Sequence, residues 1–354
     1  MRKNLFSLRN TSRVFLFVLS AASFVHGQNP APPGMTPQTT GDGTPASITL
    51  RHTVEDWNRI TLEHSELKMA PPNLGEVDKE ANYTRERWQM QWRDLDAFDL
   101  YIVRPKGVEK PPVIFYLYSS EVASKRPFIN DGWCQRATAD GFAAIGFVPA
   151  LAEDRFQMRP MKQWYMSELQ EALAETTHDV QMILNYLQQR GDFDLSRVGV
   201  FGTGSGAAVG ILSAAADSRI QALDLVNPWG DWPSWLKTTP LLTPIERKDY
   251  VTPEFLVKVA PLDPVKWLPQ LADRRVRIQI IDGEVKQEKE SLDAVEAAAP
   301  REAKVVHYAT VAEHRTANDK GRSFQWVKEQ IQPHGPYARE SSAREETPAA
   351  AAKP

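Results

Sequence analysis

Residues 197–207 read Arg-Val-Gly-Val-Phe-Gly-Thr-Gly-Ser-Gly-Ala, and they limit the chain to few folds. Val198 to Phe201 is a short apolar run closed by glycine, the pattern of a buried strand. Ser205 to Ala216 follows almost without large side chains, as a helix packed close to a sheet requires. Between them Gly202, Gly204 and Gly206 alternate, so the chain must turn sharply from strand to helix. The spacing is not G-x-G-x-x-G and no phosphate-binding Lys-Ser/Thr pair follows, so no dinucleotide or nucleotide cofactor is expected.

The same alternation recurs along the chain. Tyr83–Trp92, Phe98–Val103 and Val113–Tyr118 read as three strands in close order. Trp133–Asp140 is expected as a helix, Phe142–Val148 as a strand and Met166–Arg190 as a long amphipathic helix. Strands follow at Val198–Phe201, Ile220–Val226, Val276–Ile281 and Val305–Ala309. Helices are expected at Leu292–Ala299 and Phe324–Ile331. Antiparallel strands leading into repeated β-α units imply an α/β fold, a mostly parallel central sheet with helices on both faces. Ahead of it, Val54–His64 has helical spacing and 70–82 reads as a loop. Residues 229–265, rich in Trp and Pro, form a lid-like excursion above the strand ends.

The ends differ in character. Arg2, Lys3, Arg9 and Arg13 precede a 12-residue apolar run, Val14–Val25, and small residues stand at −3 and −1 of a cut before Gln28. That is the pattern of a signal peptide over 1–27. The run is short of the roughly 20 residues that span a bilayer, so no stable membrane insertion is expected after cleavage. A disordered linker is expected over 28–46, a folded domain over 47–334 and a disordered tail over 335–354. Removing 1–27 takes four of the 42 basic residues, leaving 38 against 45 acidic ones, a net charge of −7. This balance argues against nucleic acid as a partner. Cys134 is the single cysteine, so no internal disulfide can form. These features predict an exported protein, periplasmic or extracellular. No metal-ligand spacing is present, and no metal is expected.

Three segments resemble the α/β-hydrolase fold family, nearest to dienelactone-hydrolase-like and acetyl-xylan-esterase-like bacterial enzymes. They are Asp194-Leu-Ser-Arg-Val-Gly-Val-Phe-Gly202, then Ala260–Leu271 leading into Val276-Arg-Ile-Gln-Ile-Ile-Asp-Gly-Glu284, and Ala312-Glu-His314 after the last strand. The resemblance covers about residues 84–332. It implies a Ser-His-acid site for ester hydrolysis, with Gly-x-Ser-x-Gly at the strand-to-helix turn.

The chain departs from that pattern at the nucleophile. Gly202 and Gly206 occupy the outer positions, but the residue between them is Gly204, a vacated nucleophile position. Ser205 stands one place later, either as a displaced nucleophile or as the first residue of the helix. The resemblance places the catalytic histidine at His314, in a loop after the last strand. Lys286 falls near the usual acid position, with Asp282 and Glu284 close by. Asp231, after the preceding strand, is the alternative acid, or a turn residue following Gly230. The backbone N–H of Gly206 and one from the turn at Ser119 and Ser120 would form the oxyanion hole. Trp229, Trp232 and Trp235 either present aromatic faces to a substrate or pack the lid. Two functions remain open. One is a serine hydrolase acting on a small or carbohydrate-linked acyl ester. The other is a hydrolase-fold protein without catalysis that retains a binding cleft.

Overall fold

The computed structural model describes residues 55–332, except 120–124, 153–154, 156–167 and 285–287. The expected signal peptide, linker and tail, and Lys286, lie outside the described residues. The strands are β1 (Asn73–Lys79), β2 (Tyr83–Gln91), β3 (Ala97–Pro105), β4 (Pro112–Leu117), β5 (Ala143–Phe147), β6 (Asp194–Thr203), β7 (Ile220–Val226), β8 (Arg275–Ile281) and β9 (Lys304–Tyr308). The principal helices are α1 (Asp131–Thr138), α2 (Leu169–Arg190) and α3 (Ser205–Ala216). Four short ones, α4 to α7, occupy Trp232–Thr238, Pro244–Tyr250, Pro253–Val259 and Pro264–Trp267. They are followed by α8 (Lys289–Ala297), α9 (Val311–Ala317) and α10 (Gln325–Gln330).

The strands form one sheet in the order β1-β2-β3-β5-β4-β6-β7-β8-β9. The first three pairings are antiparallel, and every pairing from β5 to β9 is parallel. The chain runs outward from β4 to β5, then returns and runs outward the other way from β6. The order therefore reverses between β4 and β6. Beyond the carboxyl ends of these two strands a crevice opens, because the segments leaving them diverge to opposite sides.

Alternation along each strand assigns two cores. Val113, Phe115 and Leu117 of β4 and Val198 and Val200 of β6 face α2 and α3. Ile114 and Tyr116 face the opposite layer, with Trp133 of α1, Phe324 and Val327 of α10. Tyr116 meets Trp133 and Phe324 edge-on, with ring centroids 4.9 and 4.8 Å apart.

Two expectations at the amino-terminal side are corrected. The segment expected as a loop contains β1, which pairs with β2 as an exposed edge strand. Its polar sequence carries no apolar alternation because neither face is buried, and cross-strand pairing holds it. Residues 55–64 form turns and bends and no helix. Buried charge anchors this segment instead. Glu55 accepts from Arg93 (2.6 Å) and meets His178 Nδ1 at 2.5 Å, while His178 Nε2 meets the Arg59 carbonyl at 3.0 Å. Asp179, fully buried on α2, accepts from Trp92 (2.8 Å), Arg93 (2.5 Å) and Arg155 (2.7 Å). Breaking such a buried network by removing one partner is costly, about 3–5 kcal/mol.

Burial acts to raise the Glu55 carboxyl, but the hydrogen bonds and charges of Arg93 and His178 outweigh it and hold it at about 2. Its folded value thus lies below the ordinary 4.5. The stabilisation is complete above pH 4.5 and is lost as pH falls toward 2, amounting to ~3 kcal/mol at 1.4 kcal/mol per unit. Urea denaturation from pH 7 to pH 3 is expected to show a steep loss of stability in the wild type and a shallower one in Glu55→Gln. Parallel pH profiles would contradict this account.

Candidate functional site

The turn after β6 has little freedom. A Cβ on Gly202 would stand 2.7 Å from Ala207 Cα, and one on Gly206 would stand 2.1 Å from the Leu117 carbonyl oxygen. Both positions are closed to side chains by backbone, which sets the register of the turn. Its apex is Gly204, at φ +53° and ψ −119°, immediately before α3. An L side chain there is strained. The space is also filled: a Gly204 Cβ would lie 2.6 Å from Ser119 Oγ and 3.3 Å from Trp229 Nε1. Ser119 comes from the end of β4, and its backbone N–H donates to Thr203 Oγ1 at 3.0 Å.

A cleft of about 1000 Å³ opens here, where the strand order reverses. Ser119, Thr203, Gly204 and Trp229 lie on its floor. Phe201, Trp133 and Phe324 give it an aromatic wall, and α9 contributes His314 and Arg315. Asn227, at φ +43°, braces it from β7 to β8, accepting from the Ile281 N–H (2.8 Å) and donating to Glu284 (2.9 Å). Neither the sequence spacing nor any motif singled out Asn227. Its signal was only the Asn-Pro pair after a strand, which marks a turn.

Ser205 is the first residue of α3 and 5% exposed. With Gly206 it lines a separate pocket of about 10 Å³, lined also by Leu117, Pro149, Leu173 and Val209, and it does not line the cleft. The one-residue shift from the apex accounts for this, since successive helical residues point about 100° apart. With Gly204 at the apex, the backbone N–H next to it is that of Ser205, not Gly206. The N–H of Ser119, expected as the second oxyanion donor, is engaged by Thr203.

His314 does line the cleft, but from a helix and not a loop. Thr310 caps α9 by accepting from Glu313 N (3.1 Å), and Glu313 reaches back to Ala309 N (2.8 Å). Thr310-Val-Ala-Glu313 is thus close to a capping box. Nε2 of His314 is buried without a hydrogen-bond partner, and its ring stands edge-on to Tyr308. Asn318 ties this helix to the sheet, donating to the His314 carbonyl (2.9 Å) and to Gln279 (3.4 Å). Gln279 in turn donates to the fully buried Asp224, which also accepts from Arg277. Burial and the nearby Arg277 charge both lower the His314 pKa.

Asp231 stands at φ +49° before α4 and is absent from the cleft lining. Its backbone N–H donates to Asp263, and no hydrogen bond or ion pair joins it to His314 among the described residues. Asp282 meets His307 Nδ1 at 3.3 Å, not His314. Of the three tryptophans only Trp229 reaches the cleft. Trp232 (0% exposed) and Trp235 (1%) pack as core, with ring centroids 5.7 Å apart, and Trp232 donates to the Leu262 carbonyl. Ser205, His314 and Asp231 are therefore not gathered into one constellation. Among the described residues no three His, Cys, Asp or Glu side chains form a metal-holding group, and no helix is long and apolar enough to cross a membrane.

No family model matches the sequence, and no curated protein matches it. Solved structures do. An acetyl xylan esterase from a Paenibacillus species aligns with a TM-score of 0.57 at 14% identity, over 75% of this chain and 90% of that one. An acetyl xylan esterase from a Thermoanaerobacterium species gives 0.55 at 13% identity, over 72% and 86%. An S-formylglutathione hydrolase from Agrobacterium tumefaciens gives 0.52 at 12%, over 73% and 100%. At these identities the likeness is one of fold: the chain has the α/β-hydrolase fold, and its structure resembles those of esterases.

The His314 geometry has a direct readout. Its imidazole is expected to titrate below 6.5, followed through its ring carbon-bound proton by NMR and assigned with His314→Gln. A midpoint at or above 6.5 would place the ring in water and not in the cleft wall.

Proposed function

We propose that this chain is a hydrolase-fold protein that keeps the cleft for binding a small acyl compound and performs no serine-based hydrolysis. The single observation carrying this reading is the turn apex: Gly204 occupies it, and the Ser119 hydroxyl stands 2.6 Å from where a nucleophile's Cβ would be. Covalent catalysis needs a nucleophile exposed to substrate and a base within about 3 Å of it. Ser205 faces another pocket, and His314 Nε2 has no partner. The esterase-like fold supports an ester or a related acyl compound as the ligand class. With Trp232 and Trp235 in the core, the aromatic side chains left to such a ligand are Tyr118, Trp133, Phe201, Trp229 and Phe324. Export to the periplasm or beyond is part of the proposal, supported by the basic start and the short apolar run of residues 1–27.

A fluorophosphonate probe tests the reading on the purified protein. No stoichiometric labelling is expected on any serine, and 4-nitrophenyl acetate is expected to turn over no faster than with Ser205→Ala. Labelling at Ser205 that disappears in Ser205→Ala would overturn it. The intact mass of the same preparation, from cells producing the full chain, is expected to begin at Gln28; a mass retaining Met1 would count against export.

A further inference from the structure

Donors and acceptors are unevenly distributed in the cleft. Its floor carries two sources of donors, the Trp229 indole and the amino end of α3. Trp229 is 5% exposed, yet its Nε1–H makes no hydrogen bond to any described residue and points at the apex of the turn, 3.3 Å from where a Gly204 Cβ would be. An indole N–H can only donate. The ring is buried while Nε1 opens into the cleft, so the donor is a place for a ligand acceptor. Gly204 is also the cap of α3, a 12-residue helix whose amino terminus has no side-chain cap. That end carries partial positive charge and outward-facing N–H groups. The Ser119 hydroxyl stands 2.6 Å from the same point. Nε2 of His314 belongs to the same cleft and donates or accepts according to its tautomer.

The acceptors lie elsewhere. Glu284 and Asp319 line the cleft as exposed residues, and Glu284 is held by the Asn227 amide. Glu288 is only half-buried. The exposed Arg136 and Arg315 offset part of this acidic charge. Carboxylates thus sit toward solvent, where water screens them, and the buried floor is left to donors. Among small-molecule groups, a carboxylate supplies two acceptor oxygens and the negative charge that a helix amino terminus favours. The aromatic wall above suits an apolar body attached to it.

We propose that the cleft floor binds the carboxylate of a small organic acid with an apolar body, received by the α3 amino terminus and Trp229 Nε1, so that the ligand is a free acid and not its ester. This rests on the reading that nothing at the apex attacks an ester. No bond is made or broken in the step; the acid binds ionised and leaves unchanged.

The full mature protein is titrated calorimetrically with hexanoate, benzoate and 3-phenylpropionate, each beside its methyl ester and its primary amide. At least one acid is expected to bind about tenfold more tightly than its amide, the scale of one hydrogen bond to a charged group. Trp229→Phe keeps an aromatic ring and removes the donor, and is expected to bring that acid down to its amide's affinity. Ser119→Ala, measured in parallel, is expected to weaken the acid and leave the amide unchanged, and it serves if the tryptophan variant does not fold. If no acid outbinds its amide, or if neither variant weakens acid binding, the proposal is wrong. The methyl esters separate the two readings. Their hydrolysis would overturn the non-catalytic function itself, whereas intact esters with no preference for acid would overturn only the carboxylate site.

Discussion

Among the described glycines, Gly206 stands nearest to the backbone of another segment, and the site depends on that approach. Gly206 lies so near the end of β4 that a single methyl group would overlap the Leu117 carbonyl, and a methyl on Gly202 would crowd Ala207. The sheet can hold β4, β6 and α3 together only with hydrogen at these two positions. Once both are fixed, the residue midway between them must take the apex, and in this chain that residue has no side chain. The flanking glycines keep the fold, and the nucleophile is missing because residue 204 is itself a glycine. A serine one position later cannot substitute, because the helix has already turned it away from the cleft.

Polar networks hold the surrounding elements in place. Asp224 lies inside the parallel sheet, and burial raises its pKa against the pull of Arg277 and Gln279. Through Gln279 this network reaches Tyr308 and Asn318, and so fixes the helix that presents His314. On the opposite side of the chain's order, Glu55, Arg93 and Asp179 fasten an irregular segment to α2. In both places each buried charge has a partner, as the desolvation cost demands.

Much of the fold was legible in the sequence, for physical reasons that differ by element. Ile220–Val226 and Ser205–Ala216 begin and end where their apolar patterns do, because burial on both faces selects mostly apolar residues along them. The edge strand Asn73–Lys79 was hidden, since an exposed strand owes its shape to its neighbour and not to its own periodicity. The short helix bearing His314 carries its signal in Thr310 and Glu313, whose spacing is that of a helix cap. At the site, the glycine spacing already marked position 204 as vacated. What stands beside it was not readable, because Ser119 arrives from beyond the end of β4, distant in the chain. Trp232 and Trp235 were ambiguous for a related reason. Spacing of three gives Trp229, Trp232 and Trp235 the same pattern in the sequence, and only packing decides which of them meets the cleft.

The central claim is that Gly204, with no room for a side chain, is the apex of the turn. A double-mutant cycle in stability between Gly204→Ala and Ser119→Gly measures this most directly. The account predicts that Gly204→Ala costs about 1–3 kcal/mol through backbone strain and crowding. It further predicts that the loss shrinks by at least about 0.5 kcal/mol when Ser119→Gly makes room, the coupling expected of residues in contact. A Gly204→Ala variant as stable as the wild type, with no coupling to position 119, would put the apex elsewhere and contradict the account.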